Sequence, residues 1–69
     1  MNTFTIRDEY IKLGQLLKAA GLVSSGLEAK DVITAGKVLV NGTAEFQRGK
    51  KIRPGDEVTF DGQSVKVQA

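Results

Sequence analysis

The sequence predicts an α+β fold in which two short helices pack on a small, mostly antiparallel sheet. Three observations predict it. Apolar residues recur at helical spacing over residues 10–20 and again over 25–35, and each stretch ends at a glycine. Beyond Gly36 the apolar period falls to two. Three turn signals, Asn41-Gly42, Arg53-Pro54-Gly55-Asp56 and Asp61-Gly62, punctuate that second half.

The elements follow in order. Residues 3–6 form a short strand with Phe4 and Ile6 on one face. Leu13, Leu16, Leu17 and Ala20 recur at i, i+3, i+4 and i+7, so residues 10–20 form an amphipathic helix. Gly21 caps its end, and Lys18 lies in its last turn, where a cation suits the helix dipole. Gly14 weakens this helix by up to ~1 kcal/mol relative to alanine. The second helix starts at a capping box, Ser25-x-x-Glu28, with Ser24 as the other candidate cap. Its buried stripe is Ala29, Val32 and Ile33. In the next strand Val38 and Val40 face the core, while Lys37, Leu39 and Asn41 face away. Residues 43–47 form a short strand anchored by Phe46, and 57–68 form a hairpin with Val58, Phe60, Val65 and Val67 inward. Ile52 completes the expected core.

Sixty-nine residues make one domain, 1–69. A chain this short buries only about 60% of its extended surface, so each helix depends on the other and on the sheet. The sequence has no cysteine and no histidine. That excludes a disulfide framework, a thiolate metal site and the usual nucleophile–base pairs. Serines 24, 25 and 64 have no base nearby in sequence, and a Ser25–Lys30 pair is better read as a helix cap followed by a surface lysine. The dispersed carboxylates predict no metal site. The glycines match neither the phosphate-loop nor the dinucleotide pattern, so no cofactor and no enzyme activity are expected. No apolar run is long enough to span a membrane, and Asp8 and Glu9 argue against a signal peptide. A cytoplasmic monomer without membrane contact is the expectation.

The net charge of +2 is unevenly spread. Over residues 1–35, Arg7, Lys12, Lys18 and Lys30 balance Asp8, Glu9, Glu28 and Asp31. Over 37–53, Lys37, Arg48, Lys50, Lys51 and Arg53 face Glu45 alone, a sum of +4. Such a cluster suits phosphate contact, since Lys and Arg neutralise a nucleic-acid backbone without reading bases. The start of the second helix offers further amides to an anion. Tyr10, Phe4, Phe46 and Phe60 are too few for a single-strand stacking sheet. A helix-and-loop surface recognising a structured nucleic-acid backbone fits better.

The stretch "KLGQLLKAAGLVSSGLEAKDVITAGKVLVNG", continued by "KIRPGD", resembles the S4 RNA-binding domain, above all the small stand-alone S4-like proteins of bacteria. The match runs over residues 12–58. It rests on Leu13, Leu17, Gly21, Ser25, Ala29, Ile33, Gly36, Val38, Val40, Asn41, Gly42, Pro54, Gly55 and Asp56. The resemblance implies the S4-like (alpha-L) fold, with the helical face and adjoining loops on a structured RNA, ribosomal or tRNA-like. It also implies ribosomal or translation-related proteins as possible companions. Where the family usually has Arg-Leu-Asp, this chain has Lys12-Leu13-Gly14; where it has Ser-Arg, this chain has Ser25-Gly26; a later arginine is Lys30. Lysine keeps the charge without arginine's bidentate fork. The resemblance brings Lys12, Ser25, Lys30 and Lys37 into the expected RNA-binding set. Charge and placement add Lys18, Arg48, Lys50, Lys51 and Arg53. The alternative is an accessory protein-interaction module of translation or ribosome assembly that keeps the fold with reduced RNA binding.

Overall fold

The computed structural model describes residues 2–69. The elements are β1 (Asn2–Thr5), β2 (Ile11–Lys12), α1 (Leu13–Ala19), α2 (Gly26–Thr34), β3 (Val38–Val40), β4 (Thr43–Ala44), β5 (Lys51–Ile52), β6 (Glu57–Phe60) and β7 (Gln63–Gln68). Five strands form one sheet in the order β1-β7-β6-β3-β4, and β2 and β5 form a separate two-stranded ladder. Every pairing is antiparallel except β1 with β7. The expected α+β architecture of two helices and a mostly antiparallel sheet is what the chain adopts.

Turn chemistry sets the register of the sheet. Asn41-Gly42 and Asp61-Gly62 take positive φ at both positions, 53° and 85° in the first, 53° and 77° in the second. That is the geometry of the two-residue turns that match strand twist. The Asp61 turn aligns Val58 with Val65, and β3 aligns Val40 with Val58. Val38, Val40, Val58, Val65 and Val67 are all buried. On the opposite face Thr59 pairs with Ser64, their hydroxyls 2.9 Å apart.

Both helices end in Schellman motifs. Gly21 and Gly36 hold φ near +75°, and the Leu22 and Lys37 amides donate back to the Leu17 and Val32 carbonyls at 2.9 and 3.0 Å. Leu13, Leu16 and Leu17 from α1, with Ala29 and Ile33 from α2, are fully buried. They join Ile6, Ile52, Val38, Val40, Val58 and Val67 in one core. Val23, in the link between the helices, is buried too, outside any periodic stripe. Phe4, Val32 and Phe60, expected inside, are partly buried and pack on the core's edge.

Three expectations need correction. Helix α1 starts at Leu13 rather than near residue 10, because Ile11 and Lys12 pair with Ile52 and Lys51 instead. The strand expected over 43–47 stops at Ala44. Phe46 is not a core anchor: it is 59% exposed. Its ring lies over Gly36, where a Cβ would stand only 2.9 Å from the ring edge.

Candidate nucleic-acid interface

The basic tract is held in place by its backbone. Helix α1 has no side-chain N-cap, since Lys12 occupies the cap position and makes no such bond. Its first amides still need acceptors. The Leu13 N–H donates to the Lys50 carbonyl at 2.9 Å, and the Gly14 N–H to the Arg48 carbonyl at 3.1 Å. Residues 48–50 therefore cap α1 from a distance of more than thirty positions in sequence. The same strand segment continues into β5, so the tract is pinned across the start of the helix.

The β2–β5 ladder then sorts side chains by face. Ile11 opposes Ile52, and Lys12 opposes Lys51. Ile52 is fully buried, while both lysines are exposed. Two like charges directly opposite each other on an antiparallel pair are unfavourable for folding. Tyr10 moderates this on one side: Lys51 Nζ lies 5.0 Å and Arg53 Cζ 6.0 Å from its ring centroid. Both distances suit a cation–π contact.

Two surface grooves gather the cations. The first, about 370 Å³, is lined by Lys12, Lys18 and Arg48 together with Gly14, Gln15 and Gly26. No carboxylate lines it. The second, about 580 Å³, carries Lys50, Lys51 and Arg53, but also Glu45 and Asp56. The first groove therefore has the more uniformly cationic lining of the two. Lys30 and Lys37 are exposed but line neither groove. Lys30 follows Gly26 by one helical turn, which places it on the α2 face that borders the first groove.

Asp56 is committed within the fold. Its carboxylate accepts from the Arg53 N–H at 2.8 Å and from the Asn41 side-chain amide at 3.0 Å, while Asn41 Oδ1 accepts from the Glu57 N–H at 2.9 Å. Burial alone would push the Asp56 carboxyl up. The hydrogen bonds from Arg53 and Asn41 and the nearby charges of Lys50 and Arg53 outweigh it and hold the group below its ordinary value. This network joins the Asn41-Gly42 turn to the Pro54-Gly55 turn and fixes where β5 leaves the second groove.

The start of α2 differs from the expected anion site. Ser25 Oγ accepts from the Glu28 N–H at 3.1 Å, as the capping box requires. The Glu28 carboxylate reaches back one residue further than expected, accepting from both the Ser24 N–H and the Ser24 hydroxyl at 2.8 Å. The Ser24 amide and then its hydroxyl hold the Glu28 carboxyl below its ordinary value. An internal anion thus already occupies the helix start, and Ser25 is used as a cap. Among the described residues no group of three or more His, Cys, Asp or Glu side chains is placed to hold a metal ion. Nor is any helix long and apolar enough to cross a membrane.

The expected contact set lacked Gly14 and Gln15, and Tyr10 figured only among the candidate stacking aromatics, not as a partner of Lys51 and Arg53. The available signal was Gly14 itself, a glycine inside a helix whose other positions favour helix.

Residues 4–68 match the family model described as the S4 domain. The chain is 40% identical over 70 aligned positions, 100% of both proteins, to "Putative RNA-binding protein YbcJ" of Escherichia coli. It is 41% identical over 61 residues to "Probable ribosome maturation protein RlbA" of Bacillus subtilis, covering 88% of this chain and 86% of that one. The solution structure of E. coli YbcJ, described as having an alfaL motif involved in RNA-binding, aligns with a TM-score of 0.77 over 100% of this chain and 89% of that one.

Proposed function

The chain belongs to the S4 domain family, and on that premise we propose that it is a non-enzymatic module that binds structured RNA, ribosomal or tRNA-related, through its basic face. The contact strip runs from Lys18 through Lys12 and Arg48 to Lys51, Arg53 and Lys50, with Lys30 at its margin. The observation that carries this reading is the Lys12–Lys51 pair. The ladder places two exposed lysines opposite each other and thereby joins the two cationic grooves. A sequence under pressure for stability alone has many better residues for those positions. A polyanion crossing the ladder turns the repulsion into affinity. Relatives named for RNA binding and ribosome maturation favour a ribosomal RNA over other structured RNAs.

Crosslinking the protein to cellular RNA and sequencing the attached fragments tests the reading. Structured RNA should be enriched on the wild-type protein and lost when Lys50 and Lys51 are both changed to glutamate. No enrichment on the wild type contradicts it. Leu27, 70% exposed, and Phe46, 59% exposed, favour a second reading as an accessory protein-contact module. In that case a protein, and no RNA, is recovered, and the changes at Lys50 and Lys51 have no effect.

A further inference from the structure

Gly14 is a poor choice for a helix on propensity grounds, yet its φ is ordinary and gives it no conformational reason to be glycine. Its reason is close approach. A Cβ built on Gly14 would stand 2.7 Å from Arg48 Cγ and 3.3 Å from Arg48 Cδ. Contacts below 3 Å between carbon atoms are strongly repulsive, so any side chain here displaces the arginine stem. The Gly14 N–H meanwhile donates to the carbonyl of that same residue at 3.1 Å. Backbone and missing side chain act together: one fixes where Arg48 starts, the other clears the surface along which its stem lies. Gly14 is buried although the helix start is near the surface, and Arg48 lines the carboxylate-free groove beside it.

We propose that Gly14 is a positioning residue for Arg48. By lacking a Cβ it seats the arginine stem across the first turn of α1 and presents the guanidinium to an RNA phosphodiester between Lys12 and Lys18. This rests on the RNA-binding reading above and deepens it, because it assigns the guanidinium as the one planar, bidentate phosphate donor of the first groove. The two lysines beside it act as point charges.

Binding of a fluorescein-labelled RNA hairpin by four proteins tests this: wild type, Gly14→Ala, Arg48→Ala and the double variant, each over a salt series. Arg48→Ala should weaken binding about tenfold and lower the magnitude of the log K against log salt slope by roughly 0.7–0.9, one phosphate contact. Gly14→Ala should reproduce most of both effects. The double variant should bind no more weakly than Arg48→Ala, since two changes acting through one contact do not add. A Gly14→Ala protein with wild-type affinity and slope overturns the proposal, as does a double variant whose loss is the sum of the two. If Gly14→Ala lowers the melting temperature, the double variant should recover it, because no stem remains to collide. Failure to recover overturns the proposal as well. If the wild-type protein does not bind the hairpin, the RNA reading fails. The positioning claim is then decided by NMR with inorganic pyrophosphate as probe: the Arg48 Nε–Hε signal should shift in the wild type and not in Gly14→Ala.

Discussion

The five-stranded sheet and the β2–β5 ladder are made of similar residues but obey different rules. In the sheet every local preference agrees with the fold. The Asx-Gly turns have the φ values their strands need. Valines alternate inward, and hydroxyls pair on the outer face. The ladder and its flanks break such preferences repeatedly: lysine opposes lysine, a glycine sits in a short helix, and that helix has no capping side chain. Agreement across levels is what folding requires, and breaches gather where something else is being served. On the proposed RNA-binding reading the sheet is the scaffold, and the ladder with its grooves is the face offered to RNA.

The contrast can be broken first at the ladder's inner side. Ile52 is fully buried. Ile52→Ala should destabilise the protein by about 2–5 kcal/mol, enough to unfold much of so small a domain, as read from urea denaturation. A cost below about 1 kcal/mol would mean that the ladder is not part of the cooperative unit. Asn41 tests the junction between the two regions. Asn41→Ala removes the acceptor of the Glu57 amide and puts a side chain at φ +53° that tolerates it poorly. A loss of about 1–3 kcal/mol is expected, and Asn41→Gly should recover the backbone share of it.

Lys12→Glu sharpens the comparison because it should move stability the other way. It converts the like-charge pair with Lys51 into an opposite-charge pair, worth about 0.2–1 kcal/mol of added stability, and leaves the Lys51 contact with Tyr10 in place. A thermal melt that shows Lys12→Glu less stable than wild type would remove the functional reading of that pair.

The smallest effect is on acid stability. Asp56 and Glu28 both have folded-state carboxyls below their ordinary values of 3.8 and 4.5. Their contribution is complete above those values and is lost as pH falls through the lower, folded ones. Urea midpoints should therefore change little on this account between pH 7 and pH 5 and fall below about pH 4. Asp56→Asn should flatten part of that fall.

The same division explains what the sequence made legible. The β6–β7 hairpin, both helix ends and the Ser25 cap are local, written in residues a few positions apart. The ladder joins residues forty apart, so nothing near Ile11 or Lys12 announces that they leave the helical pattern for a strand. The parallel pairing of β1 with β7 is invisible for the same reason. Phe46 misled because an aromatic residue in a β-prone run reads as inward, whereas here it covers a glycine from outside. Of the expected contact residues, Lys12, Lys18, Arg48, Lys50, Lys51 and Arg53 line the two grooves, and Ser25, Lys30 and Lys37 do not. Charge is readable from sequence, but its convergence depends on long-range capping of α1 by residues 48–50.

The claim that the ladder face binds RNA through its phosphates is tested most directly by the salt dependence of hairpin-RNA binding to wild type and Lys51→Glu. The account predicts a steep loss of affinity with salt for the wild type, with a log–log slope of about −3 to −5 for four to six phosphate contacts. Lys51→Glu should bind at least about tenfold more weakly, with the slope reduced in magnitude by about one or more. Binding that ignores salt, or a Lys51→Glu protein with wild-type affinity and slope, would contradict it.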